Sequence, residues 1–186
     1  MSRTYDDLAG VVDLFGALTH AELESALDEL AYKQGSETDA EALSAAVDAA
    51  IDEYYLVEYV ADAGDRTVEA GDQTAETGDQ TAETSDPERR SAADGTFVAV
   101  GPAAFPSLPQ NAEDLPHILD VPRREVDRRA LGEQVRERLA AEADAAIDDG
   151  DEARLNRLYD VTYDLDAWAP VETAAVRDRL DAVLQD

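Results

Sequence analysis

The chain has 186 residues, and 44 acidic against 15 basic residues give it a formal net charge of −29. It contains no Cys, which excludes a disulfide-stapled secreted module. The charge balance excludes a basic nucleic-acid-binding arm and a polybasic membrane-surface protein.

The charged residues also indicate the solvent in which the protein works. Every basic residue except Lys33 is Arg. Uncompensated carboxylates repel one another at low ionic strength, whereas in molar salt the Debye length is about 3 Å and the repulsion is largely screened. We therefore expect a halophilic protein of a high-salt cytoplasm. An ordinary acidic protein is the alternative, which the near-absence of Lys disfavours.

The sequence predicts neither a signal peptide nor a membrane span. The first ten residues include two acids and lack a basic region followed by an apolar one. No apolar stretch approaches the roughly 20 residues that cross a bilayer. A cytoplasmic location without membrane association is the expectation that follows.

Three helices are predicted in the first 55 residues. Each combines a capping pair with apolar residues at helical spacing. The pairs are Thr4 with Asp7, Thr19 with Glu22, and Thr38 with Glu41. Gly16 and Gly35 are expected to end the first two helices.

Two strands follow, at residues 55–60 and 96–100, because these runs are rich in β-branched and aromatic residues. Residues 61–94 between them are polar and contain two copies of the heptad GDQTAET, at 71–77 and 78–84. The heptads have no Leu, Ile, Val or Phe, so they lack a coiled-coil seam. They predict a disordered low-complexity insertion in the hairpin loop. A recognition arm is the alternative.

Residues 101–122 hold five of the seven prolines and predict an extended, non-helical crossing segment. Its large apolar residues suggest that it packs onto the body of the protein. They are Phe105, Leu108, Leu115, Ile118 and Leu119. Helices are then predicted at about 127–149, 152–159 and 171–184, with Trp168 as a packing anchor.

The predicted fold class is mostly α, within α+β. Three helices followed by a β-hairpin are typical of a winged-helix domain, and a generic three-helix core with a hairpin is the alternative. We expect a winged-helix-like domain at 1–106, with the insertion at 61–94. Residues 107–186 would form the Pro-rich crossing segment and a helical extension, packed on the first unit or standing as a second small domain.

Signatures of catalysis are missing. The two histidines, His20 and His117, lie far apart, and neither has a second histidine three or four positions away on a helix. No phosphate-binding loop or nucleophile elbow occurs. Acidic pairs such as Asp6–Asp7 and Asp148–Asp149 are expected by chance among 44 carboxylates. We predict no enzyme activity, cofactor or metal.

One segment runs against the overall charge. Residues 123–138 contain six arginines and four acids. The arginines are Arg123, Arg124, Arg128, Arg129, Arg136 and Arg138. We favour their pairing with carboxylates of the same chain; the functional alternative is a partner-binding surface, since guanidinium groups match carboxylate and phosphate geometry.

DNA is the less favoured partner. The third helix and its flanks, residues 39–55, contain five acids and no Lys or Arg, whereas recognition helices offer cations or amides to base edges. Molar salt weakens this argument, because it screens repulsion and phosphate attraction alike. We expect a non-enzymatic protein that binds a macromolecular partner, preferably a protein. The alternative is a winged-helix DNA-binding regulator that uses residues 123–138 and the wing, where Arg66, Arg89 and Arg90 lie, instead of the third helix. The oligomeric state stays open.

Four segments carry a resemblance. They are TYDDLAGVVDLFGALT at 4–19, DEYYLVE at 52–58, VGPAAFPSLP at 100–109 and EDLPHILDVPRR at 113–124. With them the chain resembles an uncharacterised family of small acidic haloarchaeal proteins. The resemblance covers nearly the whole chain outside the repeats and implies salt adaptation, but no activity or functional residue. The long repeat loop departs from the shorter hairpin expected of that family.

Overall fold

The computed structural model describes residues 2–35, 39–60 and 96–185. Within these ranges the protein is mostly helical with a small antiparallel sheet, so the α+β class is confirmed. The predicted insertion at 61–94 and the capping residue Thr38 lie outside the described residues. The elements are α1 (Ser2–Phe15), β1 (Ala17–Leu18), α2 (His20–Lys33), α3 (Ala40–Asp52), β2 (Leu56–Val60), β3 (Thr96–Val100), α4 (Leu115–Ile118), α5 (Arg128–Asp149), α6 (Glu152–Trp168) and α7 (Ala174–Leu184).

The three N-terminal helices form where the apolar periods predict them, but only one of the three predicted capping pairs is found within the described residues. Thr19 and Glu22 form the predicted reciprocal capping box at α2. The prediction for Thr4 is wrong, because α1 already begins at Ser2. At α3 the Asp39 carboxylate accepts a hydrogen bond from the Ala42 amide at 3.2 Å and caps the helix.

The sheet has the order β1-β3-β2 and is antiparallel throughout. The sequence does not predict β1, because two residues are too short for a period; Ala17 and Leu18 become a strand by pairing with β3. Both faces of the sheet are buried. Leu18, Leu56 and Val98 pack with α1, α2 and α3, whereas Ala17, Val57, Tyr59 and Ala99 pack with α5, α6 and α7. The sheet therefore lies between two helical layers.

The C-terminal helices correct two predicted boundaries. Helix α6 continues to Trp168 instead of ending near residue 159, because Val161 and Leu165 are fully buried and extend its apolar stripe. Helix α7 begins at Ala174 instead of 171. Its preceding residue, Thr173, donates from its hydroxyl to Asp166 Oδ1 at 2.8 Å, and Arg177 pairs with the same carboxylate. These contacts fasten α7 to α6.

The Pro-rich segment departs from its prediction in two respects. It contains a short helix, α4, in which Pro116 occupies the first turn, where no backbone donor is needed. Leu115 is buried as expected, but Phe105 is 81% exposed. Leu108 and Ile118 are also exposed, so these three side chains do not pack onto the body. No helix in the part of the chain described is long and apolar enough to cross a membrane.

Candidate functional site

The segment before α5 is fixed against the end of α1. The Arg124 amide donates a hydrogen bond to the Phe15 carbonyl at 2.8 Å. Gly16 has a φ of +77°, and a Cβ at this position would lie 2.0 Å from the Arg124 carbonyl oxygen. Only glycine fits both the left-handed conformation and the close approach. The backbone around Arg124 is therefore a rigid wall, with the Arg123 and Glu125 side chains exposed beside it.

Arg124 makes contacts that hold the fold together. Its guanidinium binds Glu22 through two hydrogen bonds of 2.7 and 2.8 Å and donates to the Ala17 carbonyl at 3.0 Å. It also lies 4.8 Å from the centre of the Phe97 ring. Burial raises the pKa of the Glu22 carboxyl, but hydrogen bonds from Arg124 and Thr19 outweigh this, and the net shift is downward. Three of the five N–H donors of the Arg124 guanidinium are therefore used inside the molecule.

Two further predicted site residues are also paired internally. Arg129 lies 3.3 Å from Glu133, one turn along α5, and its side chain is 75% exposed. Arg138 lies 2.6 Å from Glu142 in the same way and covers the Tyr54 ring at 4.5 Å. For these arginines, as for Arg124, the favoured prediction of pairing within the chain is confirmed.

The other three predicted site residues are Arg123, Arg128 and Arg136. No carboxylate oxygen of the described residues lies within ion-pair distance of their guanidinium groups. Arg128 stacks over the half-buried ring of Trp168, 4.4 Å from its centre, and Trp168 packs against the C-terminal core as predicted. Burial lowers the pKa of Arg128, and the charge of Asp13 opposes this shift. We call these three residues the unpaired arginines.

A cleft of about 370 Å³ opens where α1, β3 and the start of α5 meet. Its charged lining residues are Arg123, Arg124, Arg128, Asp13 and Glu125. Arg129, Arg136 and Arg138 do not line it. The structure thus brings half of the predicted site residues together and separates the rest. Sequence reasoning missed Asp13, because no local pattern links α1 to a segment more than 100 residues away.

A second hollow, of about 410 Å³, is acidic and lies between the end of α3 and the α5–α6 turn. Its charged lining residues are Asp52, Glu53, Glu142, Asp149, Asp151 and Arg154. Arg154 pairs with Glu142 and lies 3.9 Å from Glu53, so part of this charge is neutralised. Among the described residues no group of His, Cys, Asp or Glu is arranged to hold a metal ion.

Asp6, Asp7 and His20, for which the sequence predicts no catalytic role, make structural contacts. Asp6 Oδ1 accepts a hydrogen bond from the Phe105 amide at 2.9 Å, and Asp7 accepts one from the Ser107 hydroxyl. These contacts tie α1 to the Pro-rich segment. The half-exposed His20 ring lies 2.6 Å from Glu58. His117 is exposed on α4.

Comparison with known proteins places the chain in a family. Neither the curated proteins nor the solved structures gave a match. The model of one family matches residues 6–185, and this range includes α5 and the segment that lines the cleft. The chain belongs to this family, DUF7109, a family of unknown function.

Proposed function

We propose that this is a non-enzymatic protein that binds a protein partner through the unpaired arginines. One observation carries the proposal. The chain has 44 carboxylates, yet the guanidinium groups of Arg123, Arg128 and Arg136 have no carboxylate of the described residues within ion-pair distance. Arginines that have no carboxylate partner among the described residues are available to acidic groups of another molecule.

High salt shapes the contacts that such a surface makes. We propose that the protein works in a high-salt cytoplasm, where screening restricts electrostatic attraction to groups in direct contact. A guanidinium retains its paired hydrogen bonds to a carboxylate under these conditions, because the geometry is short-ranged and specific. The unpaired arginines would therefore select a partner by fit, whereas the remaining carboxylates keep the protein in solution.

DNA binding is a second candidate, and the order of elements supports it. Helix, strand, two helices and two strands, with the sheet order β1-β3-β2, is compatible with the winged-helix expectation. In a winged-helix domain the recognition helix would be α3. Its exposed side chains include Glu41, Ser44, Asp48 and Asp52, and no cation lies on it. Such a face repels phosphate and offers no amide or guanidinium to base edges, so we prefer a protein partner.

Crosslinking in the native host at its own salt concentration tests the two candidates together. The test variant replaces the three unpaired arginines with Gln. The control is Arg129→Gln, which removes the same kind of charge from a pair that is already satisfied. We expect a defined protein to be recovered with the wild type and the control and lost from the triple variant. Equal recovery with the triple variant would contradict the proposal. Specific DNA sites recovered in the same pattern, without a protein, would establish the second candidate.

A further inference from the structure

The cleft at the start of α5 contains two guanidinium groups whose donors are not used within the described structure. Arg123 projects from the rigid backbone wall formed by residues 123–125, and Arg128 is held over the Trp168 ring. The third cleft arginine, Arg124, is occupied by Glu22. The Trp168 ring holds the Arg128 guanidinium in place, whereas the exposed Arg123 side chain has no such contact within the described residues, so the receptor is preorganised at Arg128.

Arg128 is exposed as a residue, yet the cleft covers part of its guanidinium. This partial desolvation is unfavourable for the charged form and lowers the pKa of Arg128. Stacking on Trp168 returns part of the cost. An acceptor oxygen entering the cleft would bind these N–H groups in place of water.

The charge of the cleft selects among anions. Arg123, Arg124 and Arg128 contribute three positive charges, and Asp13, Glu125 and the bound Glu22 contribute three negative ones. The cleft is therefore neutral before a ligand enters. A carboxylate adds one negative charge, whereas a phosphate monoester adds almost two to a chain that already carries −29. A single carboxylate fits this balance better than a phosphate.

We propose that the cleft receives the carboxylate of an acidic side chain of the protein partner, bound by Arg123 and Arg128. This assignment rests on the proposed function and names the chemistry by which that partner is recognised. Asp13 also lines the cleft and repels the incoming carboxylate. Its role is to weaken binding, so that a carboxylate held by both guanidinium groups is retained and a loosely placed anion is not.

The probe is tetraglutamate, acetylated at its N-terminus and amidated at its C-terminus, titrated into the full-length protein in 1 M KCl at neutral pH. Binding is followed by the NMR shifts of the Gly16 and Val100 amides, which lie in the lining of the cleft. We expect saturable shifts. Arg123→Gln and Arg128→Gln should each raise the Kd about tenfold, the usual effect of losing a hydrogen bond to a charged group.

Two matched variants make the expectation specific. Asp13→Asn should lower the Kd, by about threefold, since it removes repulsion without removing a donor. Arg129→Gln should leave the Kd unchanged, because Arg129 lies outside the cleft. Thermal unfolding followed by circular dichroism confirms that each variant is folded. Equal affinity of the wild type and both cleft variants would overturn the assignment, as would an absence of saturable shifts.

Inorganic phosphate is the competing probe. Tighter saturation of the same amides by phosphate than by the peptide would overturn the choice of a carboxylate. The carboxylate site in the cleft and the proposed binding of a protein partner can be refuted independently of each other. Peptide binding lost in Arg123→Gln, without any protein captured in cells, would support the cleft and contradict the proposed function. A protein captured equally by the wild type and a variant changed at both cleft arginines would overturn the cleft as its docking site.

Discussion

Replacement of Arg124 by Met is expected to lower the free energy of unfolding, because Arg124 joins the segment before α5 to β1 and α2. It keeps the apolar stem and leaves the Glu22 carboxylate, whose side chain is 23% exposed, without its partner. Two charged hydrogen bonds of 2.7 and 2.8 Å and one to the Ala17 carbonyl are lost. Breaking a fully buried pair costs about 3–5 kcal/mol. The remaining exposure of both groups places the expected loss at the lower end, about 3 kcal/mol.

Urea-induced unfolding at pH 7 and constant KCl measures this loss. For a chain of this length, about 3 kcal/mol corresponds to a fall in Tm of roughly 6–12 °C. The control is Arg129→Met, which breaks an exposed pair and should cost at most about 0.5 kcal/mol. Equal losses in the two variants would refute the view that Arg124 is a structural cation.

The same pair predicts a dependence on pH. The pKa of Glu22 in the folded protein lies below its ordinary value of 4.5, so the ionised carboxylate stabilises the fold at neutral pH. This stabilisation is lost as the pH falls through the folded-state pKa. The difference in free energy of unfolding between the wild type and Glu22→Gln should therefore shrink between pH 6 and pH 3. A difference that stays constant over this range would contradict the coupling between Glu22 and Arg124.

Three other predictions concern the whole chain and two local contacts. Helicity and Tm should rise steeply between about 0.1 and 2 M KCl, because screening removes the repulsion of a −29 chain, and a flat response would refute salt adaptation. Gly16→Ala should lower the free energy of unfolding in urea more than Gly35→Ala, since both residues have positive φ but only a Cβ on Gly16 would collide with backbone. The expected loss for Gly35→Ala is about 1–2 kcal/mol, and an equal loss for Gly16→Ala would contradict the collision. Asp166→Asn should lower the free energy of unfolding at pH 7 by about 1–2 kcal/mol, because it weakens the contact with Arg177. The loss should be smaller at acid pH: desolvation raises the pKa of Asp166, but hydrogen bonds from Arg177 and Thr173 outweigh it and hold the pKa below its ordinary value.

The sequence predicts most helices because their apolar periods agree with burial. In α1 the predicted stripe of Leu8, Val11, Val12 and Phe15 is fully inside the protein. The prediction fails where tertiary contacts decide. The two residues of β1 are too few to show a strand pattern. Helix α6 contains a run of aromatic and β-branched residues that has weak local helix propensity. Nothing local distinguishes the exposed Phe105 from the buried Leu115.

The candidate site is predicted only as a group of residue types. Composition treats the six arginines as equivalent, yet the structure divides them by partners that are distant in sequence. Arg124 finds Glu22, which is 102 positions away, whereas Arg129 finds Glu133, which is four positions away. Only the second kind of pair has a sequence period. The approach of Asp13 to the cleft and the stacking of Arg128 on Trp168 depend on the packing of whole helices.

The two-sided burial of the sheet has a consequence for synthesis of the protein on the ribosome. When β3 has emerged, α1, α2 and α3 can cover one face, but the elements of the described structure that cover the face with Val57, Tyr59 and Ala99 are α5, α6 and α7, which follow later. At a translation rate of about 5–20 residues per second, the synthesis of α5, α6 and α7 takes several seconds or more, during which this apolar surface stays exposed. Translation that stalls before α5 would therefore leave this apolar surface exposed on an aggregation-prone fragment.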